Sequence, residues 1–228
     1  MSRNAIRYDL PDRRELVTPS AAIAALVPLS GSALATTRLS QPAKRRPRTD
    51  KTFETAALLR DLWIGHIFWI RAVSIATIET REAAAAAAEL KAVANARSIA
   101  GTIEPFYGAA AKDTFSKLLT GHYGAVTAFL MATIADDAVG QRTATRSLTS
   151  IAEEIASFLS QANPHFPKDA VNNLLLAHGD HHTRQIRQLK DRNYEAEAHT
   201  WEEMKDHIYQ IADTTADALA KQFADEFS

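Results

Sequence analysis

The 228-residue chain is 46% hydrophobic and 23% charged, with a formal net charge of −1, the balance of an ordinary globular protein with room for one sizeable domain. A charge so near zero supplies no global field to draw in nucleic acid or an anionic membrane surface, and no basic helix supports DNA binding. Cysteine is absent, which removes disulfides, thiolate ligands and cysteine nucleophiles together and leaves His, Asp and Glu to carry any metal chemistry.

Residues 1–50 differ from the rest. They open with Arg3, Arg7 and the pair Arg13-Arg14, continue through the apolar stretch Ala21–Val27, and reach the small-residue site Ala33-Leu34-Ala35. A positive region, a short apolar region and an A-x-A site form the layout of a secretory signal, here similar to a twin-arginine export signal with cleavage near Ala35. That layout implies export to the periplasm; the other reading is a disordered N-terminal extension on a cytoplasmic protein. The apolar part is broken by Pro19, Pro28 and Gly31 and is too short to span a bilayer as a helix. The basic run Lys44-Arg45-Arg46-Pro47-Arg48 has no apolar periodicity and reads as a solvated linker.

From Thr52 onward the pattern is helical. Apolar residues at 58/59, 62/63, 66/67, 69/70 and 73 predict a first helix over about 52–79. An alanine-rich helix follows from Ala83 to Ile103, with Leu90, Val93, Ile99 and Ile103 as its apolar stripe, and ends at Pro105. Further helices are predicted over about 110–135, 144–161, 167–190 and 199–224; Pro167 suits the first turn of the fifth. Long helices joined by short loops predict an all-α fold over residues 51–228: an antiparallel up-and-down four-helix bundle core with two additional helices outside it.

The eight histidines are the most informative feature. His66 follows Leu59, Leu62 and Trp63 on the first helix, and His122 lies on the stripe of Phe115, Leu118, Leu119, Val126 and Phe129. His178 and His182, four residues apart, project from one face of the fifth helix. His207 sits between Met204 and Ile211 on the sixth. A single core histidine is commonly just hydrogen-bonded. Four or five near mid-bundle would be costly without partners, and a bound divalent transition metal such as zinc, nickel or iron accounts for them together. His181 points away from the pair as a supporting or surface group, and His165 and His199 read as solvated. Asp61, Glu79, Asp180, Glu203 and Asp206 are candidate supporting carboxylates, with Glu203 placed to orient His207. Trp63, Trp69, Tyr123 and Tyr209 are candidate pocket walls.

The run His178-Gly179-Asp180-His181-His182-Thr183-Arg184-Gln185-Ile186 resembles the last-helix motif of the DinB-like metal-binding four-helix bundles. In that family H-x-x-x-H binds a metal with a third histidine from an earlier helix, and Arg-Gly-Gln-Ile follows. His178 and His182 match the pair and Gln185-Ile186 the tail, whereas Thr183-Arg184 replace Arg-Gly. The earlier ligand is His66 or His122; the resemblance does not choose. It implies metal-dependent chemistry of the thiol-transferase kind on a small molecule, although many members have no known activity. A weaker resemblance, to hemerythrin-like di-iron bundles, rests on histidines spread over four helices; Val126 stands where a bridging carboxylate is needed, and Asp213 is one residue out of place. The other expectations are a non-catalytic periplasmic metal carrier, store or sensor, and a helical interaction module with structural histidines. Such bundles also form homodimers. No nucleophile elbow, phosphate loop, dinucleotide fingerprint or H-E-x-x-H is present.

Overall fold

A computed structural model describes residues 50–228; the expected export signal and linker lie outside them. Among the described residues there are six α-helices and no strand: α1 (Asp50–Ile78), α2 (Glu82–Gly101), α3 (Glu104–Ile134), α4 (Ala138–Ala162), α5 (Lys168–Lys190) and α6 (Tyr194–Gln222), followed by a short 3-10 turn, Ala224–Phe227. The all-helical class is as expected from the apolar spacing.

Three helices start earlier than expected. Pro105 ends the alanine-rich helix but also sits in the first turn of α3, which is interrupted at Gly108 (φ 80, ψ 173) before the regular helix resumes. At α4 the Asp137 carboxylate accepts the backbone N–H groups of Val139 and Gly140 at 3.0 Å, and at α6 the Asn193 side chain accepts that of Ala196 at 3.2 Å. Each cap satisfies donors that a helix start otherwise leaves open, so the polar residues after it join the helix.

Residue pairing gives the directions of the helices. Arg60 meets Asp213 and Arg71 meets Glu197, so α6 runs antiparallel to α1. His181 lies by Glu203 and Gln185 by Glu197, so α6 is antiparallel to α5 as well. His122 faces His178, Arg187 covers Phe129, and Lys190 reaches the Ile134 carbonyl, so α3 and α5 are parallel. The helices α1, α3 and α5 touch one another, while α2 packs on α1 and α3, α4 on α3 and α5, and α6 on α5 and α1. Three parallel helices therefore share the interior, and each outer helix fills a groove between two of them.

This arrangement is a repeat. The three hairpins close through three-residue turns centred on Thr80 (φ 55), Asp136 (φ 53) and Arg192 (φ 57), 56 residues apart. In each, the next residue's N–H donates at 2.8 Å to a carbonyl five residues back: Arg81 to Ala76, Asp137 to Ala132, Asn193 to Gln188. This is the Schellman closure of a helix end. The same 56-residue interval relates Ala100, Ala156 and Ala212, all fully buried, and the trio Ile99, Ile155 and Ile211. A small residue lets two helix backbones approach closely, and this one recurs in every unit.

The stripe expected on α2 needs correction. Leu90 is 73% exposed, and the buried face is Ala88, Ala92, Ala96, Ile99 and Ala100. The groove between α1 and α3 selects alanine's small volume over leucine's larger apolar area. α1 alone among the described helices has the length and apolarity of a membrane span; here it packs against α2, α6, α5 and α3.

Candidate metal centre

The repeat places one histidine per hairpin at the same level: His66 on α1, His122 on α3 and His178 on α5, again 56 residues apart. Their ring centroids form a nearly equilateral triangle, 5.6 Å from His66 to His122, 5.4 Å from His66 to His178 and 5.3 Å from His122 to His178. His182, one turn further along α5, stands over the triangle at 5.7, 5.6 and 4.4 Å from the three. Its counterparts in the other hairpins are Ile70 and Val126, so the trio follows the repeat and His182 breaks it.

One nitrogen from each of the four rings lies within 4.8 Å of all the others, and all four rings are buried. His178 Nε2 is 3.4 Å from His66 Nε2 and 3.1 Å from His182 Nε2. Ligands about 2.0–2.1 Å from a tetrahedral ion are separated by roughly 3.3–3.4 Å, so the His66–His178 and His178–His182 pairs already stand near that spacing. The donor set also fits: four imidazoles without a carboxylate suit zinc, copper, nickel or iron rather than magnesium or calcium.

Burial keeps these rings neutral, which is the ligating form. Desolvation pushes His66 down to about 3 and His122 to about 4, with the neighbouring imidazole adding to the effect at His66. His178 and His182 are pushed well below their ordinary value by desolvation and then by the surrounding histidines. His122 Nε2 is buried without a protein partner, and so are the Nδ1 atoms of His178 and His182. The carboxylate that commonly orients a ligating imidazole is missing at these Nδ1 atoms.

The structure separates His207 from the other expected ligands. Its Nε2 meets the Leu174 carbonyl at 2.8 Å, and its ring pairs with His181 at 5.2 Å. The reason is register: His207 lies on an outer helix, where the Leu174 carbonyl lies in reach before the bundle axis. His181, expected as a supporting or surface group, is buried, and it is His181, 3.9 Å away, that Glu203 approaches. Asp180 and Glu203 both pair with Arg184 at 2.9 Å, and Glu79 pairs with Arg81 at 2.8 Å. Asp61, Asp206, His165 and His199 are exposed. Of the expected walls, Trp63 presents its edge to His66 and His178 at 5.4 and 6.1 Å, and buried Tyr123 adjoins His122. Trp69 packs on Phe68, and Tyr209 lies under Arg60.

Sequence reasoning missed Glu197. Its carboxylate is 3% exposed and accepts two hydrogen bonds from Arg71, at 2.6 and 2.8 Å, and one from Gln185 Nε2 at 2.8 Å. These bonds hold the Arg71 guanidinium above its ordinary value. Gln185 lies three residues beyond His182 on α5, so this cluster fixes the rotation of the helix that carries two of the four imidazoles. No motif announces a buried Glu in a polar run. The equal spacing of His66, His122 and His178, however, was a signal available in the chain.

Comparison with known protein families, curated proteins and solved structures gives no match for this chain.

Proposed function

We infer that the chain is a metal-binding protein that holds one divalent transition-metal ion through His66, His122, His178 and His182 and uses it on a small molecule, as the DinB-like resemblance implies. The observation that carries this reading is the convergence of four buried, neutral imidazoles on one point. Without an ion, His122 Nε2 is buried with no partner, and a buried polar group left unpaired is costly. The absence of a carboxylate from the group favours a single ion over a hemerythrin-like di-iron pair. The expected antiparallel four-helix core differs from the arrangement of three parallel inner helices, α1, α3 and α5, with α2, α4 and α6 outside, so the resemblance rests on the α5 motif and the histidine cluster. Export to the periplasm is compatible with this reading and is tested by the fate of residues 1–35.

A second reading has its own support. Four nitrogens complete a tetrahedral set, the closed coordination of a structural or carrier site rather than a catalytic one.

Elemental analysis of the full chain, purified without a histidine tag, tests the first point. We expect about one zinc, nickel or iron per chain, falling below about a tenth in the His178→Ala/His182→Ala double variant. A parent that stays metal-free and gains no thermal stability from added zinc, nickel, iron or copper would refute the metal centre. Cobalt substitution then separates the two readings: a spectrum that shifts with added azide marks an open position, and an indifferent one marks a closed carrier site.

A further inference from the structure

The two axial sides of the histidine triangle are unlike. His182 covers the side toward the C-terminal ends of α1, α3 and α5. On the other side the next layer is Trp63, Leu119 and Leu175, again one residue per hairpin. A cavity of about 10 Å³ is lined by these three residues together with His122, His178, Ala152 and Ile155. It holds roughly one atom-sized ligand, since a single water needs about 10–15 Å³ on this measure. Beyond Trp63 lies a second cavity of about 40 Å³, which shares Trp63, Ile155 and Leu175 with the first. Its wall also follows the repeat, with Leu59, Phe115 and Val171 in one layer and Ile99, Ile155 and Ile211 in another.

Interiors are close-packed, and voids of several water volumes are few. Water does not suit this one. The hydroxyls of Thr102 and Thr215 donate to carbonyls of their own helices, and the Tyr107 hydroxyl is taken by Gln222 and Asn163. Apart from these groups and Thr214 the lining is apolar, and its volume of about 40 Å³ is that of a few water-sized atoms. The charge at the ion points the same way. A divalent cation among neutral imidazoles in an apolar interior has no carboxylate to balance it, and uncompensated buried charge is unfavourable.

We propose that the coordination position opposite His182 takes the charged head of a small monoanion, whose short apolar tail occupies the chamber beyond Trp63. This proposal rests on the metal reading and names the class of molecule that its site accepts. Trp63, in the place of two leucines, is the partition that the tail passes. The chamber's layer of Leu59, Phe115 and Val171 follows the Trp63 layer one turn further from the histidines along the same three helices, so one molecule can address both.

The test uses the full chain loaded with cobalt, with bound cobalt quantified before any anion is added. Acetate, butyrate and glycolate are then titrated against the visible spectrum. Each buried methylene contributes about 0.8 kcal/mol, or roughly fourfold in affinity, so butyrate is expected to bind roughly fifteenfold more tightly than acetate, and glycolate no better than acetate. Thr215→Leu and Leu159→Phe each fill the chamber; both are expected to keep the cobalt and acetate responses and to lose the butyrate preference. Equal affinities for acetate and butyrate in the parent would overturn the chamber's role. A bound cobalt that answers none of the anions would overturn the open position. Failure to take up cobalt at all is seen before titration and removes the metal reading itself.

Discussion

The buried polar clusters around Glu197 and around the bundle axis differ, among the described residues, in their hydrogen bonding. Around Glu197 the groups satisfy one another: a bidentate guanidinium and a carboxamide use the carboxylate's oxygens, and the cluster ties α1, α5 and α6 together. Around the bundle axis four imidazoles face one another, and His122 Nε2 and the Nδ1 atoms of His178 and His182 are left without a partner. Buried polar groups are hydrogen-bonded as a rule, and exceptions call for an explanation. A completed network serves as structure. An incomplete one leaves room for a further partner.

Acid attacks the second cluster. In the metal-free protein the unfolded chain protonates these histidines below about pH 6.5, whereas burial keeps the folded ones neutral down to about 4 at His122 and about 3 at His66. Stability is therefore complete above pH 6.5 and falls as the pH drops toward those values, by about 1.4 kcal/mol per pH unit for each histidine that only the unfolded state protonates. Urea denaturation between pH 7 and 4 measures this, and a flat profile would break the contrast between the clusters.

The first cluster should be sensitive to truncation. Glu197→Ala leaves Gln185 and the part-exposed Arg71 unmatched and is expected to destabilise the fold by about 1–3 kcal/mol, read as a lower urea midpoint with and without metal. A loss under about 1 kcal/mol would deny the cluster its structural role. At the axis the sign reverses. His122→Leu removes an unpaired nitrogen and is expected to raise metal-free stability by about 1–2 kcal/mol while lowering zinc affinity at least tenfold by competition with a chelating dye. Destabilisation instead would mark His122 as a packing residue. Smallest of all, Arg184→Ala breaks exposed pairs with Asp180 and Glu203 and should change stability by less than about 1 kcal/mol, leaving the metal content intact.

Much of this was legible in the chain. Apolar spacing and, for the alanine-rich second helix, composition located the six helices, and His66, His122, His178 and His182 could be named because their neighbours at helical spacing are apolar. Helix starts were harder to read: caps such as Asp137 and Asn193 draw in polar residues that carry no periodicity. His207 has the same apolar flanks as the true cluster, and only the alternation of inner and outer helices sends it to a backbone carbonyl. Glu197 was invisible because its burial depends on Arg71, 126 residues away.

The spacing of the histidine triangle also bears on how the molecule assembles. No two of its members belong to the same hairpin, and His66 and His178 are 112 residues apart. Each hairpin packs through contacts local in sequence, the kind that form fast in helical proteins, yet none of them alone brings two triangle members together. Only His178 and His182, one turn apart on α5, are neighbours before docking. An ion caught there early would wait for the other two hairpins to arrive, and full coordination would register the last step of folding rather than the first.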